Sequence, residues 1–171
     1  MSPIATLTKN PVVLALVAGL ALAGCASKKT PNNAADLGLG GAGGAGRASP
    51  GSPQDFTVNV GDRIFFDVDS SAIRADAQQT LGRQAQWLNR YSNYRITIEG
   101  HADERGTREY NLALGARRAA ATRDYLISQG VSGNRLRTVS YGKERPVAVC
   151  DDISCWSQNR RAVTVPQGAG S

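Results

Sequence analysis

Glu99-Gly100-His101-Ala102-Asp103-Glu104-Arg105-Gly106, followed three residues later by Tyr110-Asn111-Leu112-Ala113-Leu114-Gly115-Ala116-Arg117-Arg118-Ala119, is the stretch on which the fold of this chain turns. Just upstream, Tyr94-Arg95-Ile96-Thr97-Ile98 alternates with a period of two, the signature of a half-buried strand. Downstream the period changes to 3.6 and predicts a helix from Tyr110 to about Gln129, with Gly130 as its C′ residue. The polar loop between them holds the only histidine of the chain and three acidic residues, Glu99, Asp103 and Glu104. On a helical wheel Leu114, Ala121, Thr122 and Tyr125 share one arc. Arg118 falls in the middle of that arc and Asn111 one turn back, while Arg117 and Arg123 point away. An arginine inside an apolar stripe needs a partner or a ligand, and Asp103 is the nearest candidate in sequence.

Outward from this unit, Arg63-Ile64-Phe65-Phe66 reads as the first main strand, entered through the alternating Thr57-Val58-Asn59-Val60 and a turn at Gly61-Asp62. Ser70 or Ser71 is a candidate N-cap for a helix with Ala77, Leu81, Ala85 and Leu88 inward, ending near Tyr91-Ser92-Asn93. Arg135 to Tyr141 alternates as a third strand, and Gly142-Lys143-Glu144-Arg145-Pro146 is a turn. Residues 147–160 are less regular. Arg161-Ala162-Val163-Thr164-Val165 reads as the last strand, stopped by Pro166. The order β-α-β-α-β-β predicts an α+β domain, a small mixed sheet with helices packed on one face. Strand–helix–strand segments of this length predict a parallel pair with a right-handed crossover.

The first 24 residues do not belong to this domain. Lys9 makes a positive start, and Pro11 to Ala23 is an apolar run too short to span a bilayer at ~20 residues. The run ends Leu22-Ala23-Gly24-Cys25, which resembles a lipobox, with Cys25 as the lipidated mature N-terminus; the plainer reading is an ordinary signal peptide with an incidental cysteine. Two or more acyl chains, each gaining ~0.8 kcal/mol per buried CH₂, anchor stably. Ala26, rather than aspartate, follows the cysteine, which points to the outer membrane with the domain facing the periplasm. Residues 25–53 form a Gly/Ala/Pro-rich tether that cannot bury enough surface to fold alone, with a mean span of roughly 30 Å. The expected domain therefore runs 54–166, with a tail at 167–171.

Length suggests one domain plus appendages. The net charge is +6, but Lys and Arg are scattered. With an export signal this disfavours nucleic acid and fits an anionic polymer or lipid surface. Once Cys25 is set aside, Cys150 and Cys155 remain, an even count for an oxidising compartment. A disulfide between them is expected; two free thiols or a metal pair are the alternatives, and the spacing is poor for zinc. No cofactor and no metal site is read from the sequence.

Gly100-His101-Ala102-Asp103-Glu104-Arg105-Gly106-Thr107 with Tyr110-Asn111, Leu114-Gly115 and Arg117-Arg118-Ala119 resembles the OmpA-like peptidoglycan-binding domain, over roughly Phe56 to Val165. The resemblance implies non-covalent binding of the meso-diaminopimelate in peptidoglycan stems, with Asp103 and Arg118 holding its ammonium and carboxylate. It also implies a third contact at Asp69, beside Val68, with Asn111 and Thr107 nearby. From the residues alone, Asp103 and Arg118 fit a structural ion pair equally well. Asp69 reads first as a helix cap, and Thr107, Glu109, Glu104 and Arg105 as helix-start and solvent-facing loop residues. In lipoprotein members of the family, a segment corresponding to Tyr141-Gly142-Lys143-Glu144 contributes to a surface for the partner TolB; the plain alternative is a strand-to-turn transition. The implied role is to link outer membrane and cell wall within the Tol system, serving envelope integrity and constriction at division. Rival readings are a Tol-independent lipoprotein and a periplasmic cell-wall enzyme using His101, Asp103 and Glu104. No nucleophile motif supports the enzyme. Trp87 reads as core packing on an amphipathic helix rather than as a sugar platform.

Overall fold

The computed structural model describes residues 48–168. The signal segment, Cys25, most of the tether and the last three residues lie outside them. Packing begins before the expected boundary at residue 54. Ser52 caps a short helical turn, Pro53–Asp55, by accepting from the Asp55 amide, and the Tyr94 hydroxyl donates to the Gly51 carbonyl at 2.7 Å. The cap and Pro53 at the first helical position carry the chain into a π-helical stretch, Phe56–Gly61. The alternating Thr57-Val58-Asn59-Val60 is thus helical and not a strand. Local bonds outweigh its β-branched pattern: Thr57 Oγ1 donates to the Pro53 carbonyl and Asn59 Nδ2 to Asp55.

Four strands, three further α-helices and a 3₁₀ turn at Gly133–Arg135 follow, the strands and α-helices being β1 (Arg63–Phe65), α1 (Ala75–Arg90), β2 (Arg95–His101), α2 (Arg108–Ser128), β3 (Leu136–Gly142), α3 (Ile153–Asn159) and β4 (Arg161–Gln167). The sheet order is β1-β4-β2-β3. β2 and β3 are the parallel pair, joined through α2, while β4 runs antiparallel to both β1 and β2. The mixed sheet and α+β class are as the sequence predicts. Three details differ. An extra helix, α3, occupies the segment read as irregular. β4 inserts between β1 and β2 and so separates the strands on either side of α1. Pro166 does not stop β4; it lies within the strand, paired with Ile96.

α1 begins at Ala75 with Arg74 at its N-cap, so neither Ser70 nor Ser71 caps it; Ser70 Oγ instead accepts from the Ala72 amide. Its inward side carries Ala77, Leu81, Ala85 and Leu88 as expected, with Gln84 and Trp87 added. Gln84 is buried because it is satisfied twice, donating to the Gly61 carbonyl and accepting from Thr164. Trp87 packs among Phe56, Tyr91 and Tyr94 with centroids 4.7–5.4 Å away, and its indole N–H donates to Asp55. It is core.

α2 sits on β2 and β3 at backbone distance. A Cβ on Gly100 would lie 1.8 Å from the Gly115 carbonyl oxygen; one on Gly115 would lie 2.4 Å from Ser140 Oγ and 2.8 Å from the Gly100 oxygen. Ser140 Oγ fills the remaining gap by donating to the Leu112 carbonyl at 2.7 Å. This contact fixes the height of α2 over the sheet, and with it the side chains that α2 presents to the loop after β2. Gly115→Ala should therefore cost about 1–3 kcal/mol or more by overpacking. Gly82→Ala, on α1 with nothing within 4 Å of the new Cβ, should gain about 0.5–1 kcal/mol. Urea unfolding of both variants beside wild type checks the opposite signs.

Candidate functional site

Arg118 lies in the inward row of α2 with Asn111, Leu114 and Thr122, and is fully buried. It does not bond to Asp103. Its Nε donates to the Ser70 carbonyl at 2.8 Å, Nη1 to the His101 carbonyl at 2.8 Å and Nη2 to the Asp67 carbonyl at 3.0 Å. The structural ion pair that the residues alone allowed as the alternative is therefore absent. Three carbonyls from two backbone segments point at one cation, and a guanidinium with five donors is the group that satisfies them all. Burial pulls the Arg118 pKa down to about 10, with Asp103 and Asp69 opposing through space and Arg160 adding to the fall. It remains charged at neutral pH.

Asp103 is held by other arginines. Its carboxylate accepts from Arg105 at both oxygens, Nη2 at 2.7 Å and Nε at 3.2 Å, and from Arg160 Nη1 at 3.2 Å. Burial pushes the Asp103 pKa up, but the bonds from Arg105 and Arg160 outweigh it and leave the group below the usual carboxylate range. Arg160 is itself buried, with Nε on the Phe66 carbonyl. Asp69 does not cap a helix. It takes a left-handed backbone with φ 54°, one of the few non-glycine residues suited to it, and its carboxylate receives the Tyr110 hydroxyl. Asn111 is buried and spends its amide on the Arg105 carbonyl at 2.7 Å, fixing the loop from below.

These groups converge. Val68, Asp69, Asp103, Asn111 and Arg118 line one cleft of about 370 Å³, completed by Arg105, Gly106, Tyr110 and Leu114. Thr107 is not on its wall; it caps α2 by accepting from the Tyr110 amide. Two carboxylates and two guanidiniums thus share a small half-open space, an arrangement complementary to a ligand carrying both signs of charge.

The OmpA family profile matches residues 65–160. A peptidoglycan-associated lipoprotein of Mesorhizobium japonicum is 78% identical over 171 residues, covering 100% of both chains. One from Pseudomonas aeruginosa is 54% identical over 97 residues, 57% of each chain. The chain belongs to the OmpA family. The relatives that match it over nearly their whole length carry the name peptidoglycan-associated lipoprotein. Among solved structures, the peptidoglycan-associated lipoprotein of Burkholderia pseudomallei aligns with TM-score 0.64 and 42% identity, over 68% of this chain and 100% of that one. The C-terminal domain of Helicobacter pylori MotB aligns with TM-score 0.59 and 26% identity, over 63% and 85%.

Within this OmpA-family domain, the residues that sequence reasoning missed at the cleft are Arg105, Tyr110 and, behind Asp103, Arg160. Arg105 and Glu104 are not a free solvent pair. Arg105 grips Asp103, and Glu104 accepts the Trp156 indole N–H. Alternation along the extended loop after β2 was the available signal for Arg105: with Asp103 facing one way, Arg105 shares its side and Ala102 and Glu104 take the other. Nothing in the sequence pointed to Arg160, which acts across 57 residues. The Tyr141–Glu144 turn braces the loop from outside: Lys143 Nζ donates to the Glu104 and Gly106 carbonyls, and Arg108 pairs with Glu144 at 3.1 Å.

The proposed trio of His101, Asp103 and Glu104 does not converge. Asp103 faces the cleft, Glu104 meets Trp156, and His101 is buried against Tyr141, with ring centroids 5.5 Å apart. Among the described residues no three His, Cys, Asp or Glu side chains group as a metal site. Both imidazole nitrogens lack hydrogen-bond partners, and the Glu99 carboxylate 3.5 Å from Nε2 makes no ion pair with a neutral ring. Burial first, then Arg161, Arg145 and Arg63, lower the His101 pKa from 6.5 to about 4. The folded state thus resists a proton that the unfolded chain accepts, so stability is full above pH 6.5 and falls as the pH drops toward 4. The span corresponds to roughly 3 kcal/mol. Urea unfolding at pH 7 and pH 4.5 should show this loss in wild type and a clearly smaller one in His101→Phe.

Proposed function

We infer that this protein binds peptidoglycan non-covalently by holding the free end of a meso-diaminopimelate side chain in the cleft between the loop after β2 and α2. That end carries an ammonium and a carboxylate on one carbon. The observation that carries the inference is the pairing of Asp69 and Asp103 with Arg105 and Arg118 on the walls of a single cleft. The ammonium is received by Asp69 and Asp103, whose carboxylates line the space. The carboxylate is received by Arg105, and by donors of Arg118 not used on carbonyls. Binding is then an exchange of ion pairs: Arg105 moves from Asp103 to the ligand carboxylate, and the ligand ammonium takes its place. A zwitterion enters without changing the net charge of the site, so no uncompensated charge is buried. Arg118 is the anchor of the site more than its gripping hand, since three carbonyls already hold it.

The rest of the chain fits a tether. Lipidated Cys25 anchors the protein in the outer membrane, and the segment after it lets the domain reach the wall from the periplasmic side. The Tol system, with TolB at the Tyr141–Glu144 turn, is the proposed partner, supported by the way that turn abuts the cleft loop through Lys143 and Glu144. Among the described residues no helix is long and apolar enough to cross a membrane; the proposed attachment is the lipid on Cys25.

Arg118→Lys can reach only one of the three carbonyls and should cost on the order of 3 kcal/mol of stability; binding is better tested elsewhere. Full-length protein in detergent should co-sediment with sacculi of the diaminopimelate type. Asp69→Asn and Asp103→Asn, with circular dichroism unchanged, should lose about tenfold or more in retention, the size of a charge-assisted pair. Sacculi carrying lysine in place of diaminopimelate should not retain wild type. Equal retention of the folded variants overturns the clamp, and soluble muropeptides released over time would favour an enzyme.

A further inference from the structure

The segment read from the sequence as irregular, residues 147–160, reaches the residues of the cleft through two side chains, Arg160 on Asp103 and Trp156 against Arg105. α3 begins at Ile153, capped by Asp152, whose carboxylate accepts from the Ser154 amide at 2.7 Å. It is stapled by the Cys150–Cys155 disulfide, so the bridge favoured on cysteine count is present. Asn159, buried at its far end, clamps residues 147 and 148 through three bonds to their backbone. A helix of seven residues does not hold itself; the staple, the cap and the clamp hold it. What it presents is Trp156, adjacent to the bridge. The Trp156 indole N–H donates to Glu104, and the Arg105 guanidinium lies 4.1 Å above the centre of the indole ring.

Resting on the clamp described above, we propose that Trp156 is a positioning residue for peptidoglycan recognition: a fixed aromatic shelf that holds the Arg105 guanidinium at the mouth of the cleft, where it meets the ligand carboxylate. Arg105 is otherwise a long side chain on a loop, 42% exposed, and would lose several rotamers on binding. Stacking fixes the plane of the fork without using its in-plane donors. The same shelf serves both states, since Arg105 can swing from Asp103 to a ligand carboxylate while remaining over the ring. The disulfide-stapled helix thereby sets selectivity for stems with a free diaminopimelate carboxylate over those in which it is amidated.

The test measures binding of full-length protein in detergent to two muropeptides that differ only in that carboxylate, free or amidated. Wild type should prefer the free acid by about tenfold or more. Trp156→Leu and Arg105→Gln should each bring the ratio near one, and the double variant should lose no more than either alone. Trp156→Phe, which keeps a ring but not the N–H, should restore most of the preference, and Cys150→Ser with Cys155→Ser should lower it. A merely structural Trp156 would weaken both ligands alike. A wild-type ratio retained in Trp156→Leu overturns the proposal. If wild type binds neither muropeptide, the clamp itself fails; the shelf is then judged by the ¹⁵N-resolved Arg105 Nε–H resonance, whose ring-current shift must vanish in Trp156→Leu, and an unchanged resonance refutes it.

Discussion

One cation ties together the parts of this domain that have to stay in register. The Arg118 guanidinium, on α2, satisfies carbonyls of Asp67 and Ser70 in the loop after β1 and of His101 at the end of β2. Asp67 and Ser70 lie in a loop and His101 at the very end of β2, and a buried carbonyl left without a donor costs free energy. The cleft is the space these segments leave between them. Its two walls, Val68-Asp69 on one side and Asp103-Arg105 on the other, are therefore positioned by the same side chain. A neutral residue could not hold three acceptors, and a lysine has no planar fork to spread across them.

That arrangement requires α2 to lie at a set height, which the glycine contact provides. Gly100 and Gly115 let strand and helix backbones meet directly, and Gly142, at φ 50°, brings the end of β3 against Asn111 and Leu112. Asn111 can then reach the Arg105 carbonyl. The loop after β2 is thus held from beneath by Asn111, from outside by Lys143 and from the far side by Trp156. It enters the cleft preorganised, which lowers the ordering cost of any ligand contact.

The electrostatics follow from the same packing. Asp103 is braced by Arg105 and Arg160, one exposed enough to move and one buried. Loss of Arg105 to a ligand leaves Asp103 still paired with Arg160, so the carboxylate is never stranded. Arg118, unpaired by direct contact, contributes a steady positive field behind the wall. A site built this way can trade partners with a zwitterion at little electrostatic cost, consistent with the proposed ligand and with a reversible hold on a wall polymer.

How much of this was legible in the sequence differs by level. The strand before Glu99, the helix to Gln129 with its C′ glycine and the inward row of α1 follow from periodicity, because burying one face of a regular element imposes its repeat. An arginine in an apolar stripe announced that Arg118 had buried partners. Their identity was not readable: carbonyls carry no sequence signature, and the natural guess, Asp103, is claimed instead by Arg105 and Arg160. Local competition also escaped the pattern, since the Ser52–Pro53 cap turns an alternating run into a helix and the Asp152 cap with a disulfide makes a helix of an irregular segment. The sequence by itself determined the class of fold and most of the residues that carry charge into the cleft. Which acid meets which base was decided only in three dimensions, because α3 brings Trp156 to Arg105 and its C-cap residue Arg160 to Asp103, across more than fifty residues of chain.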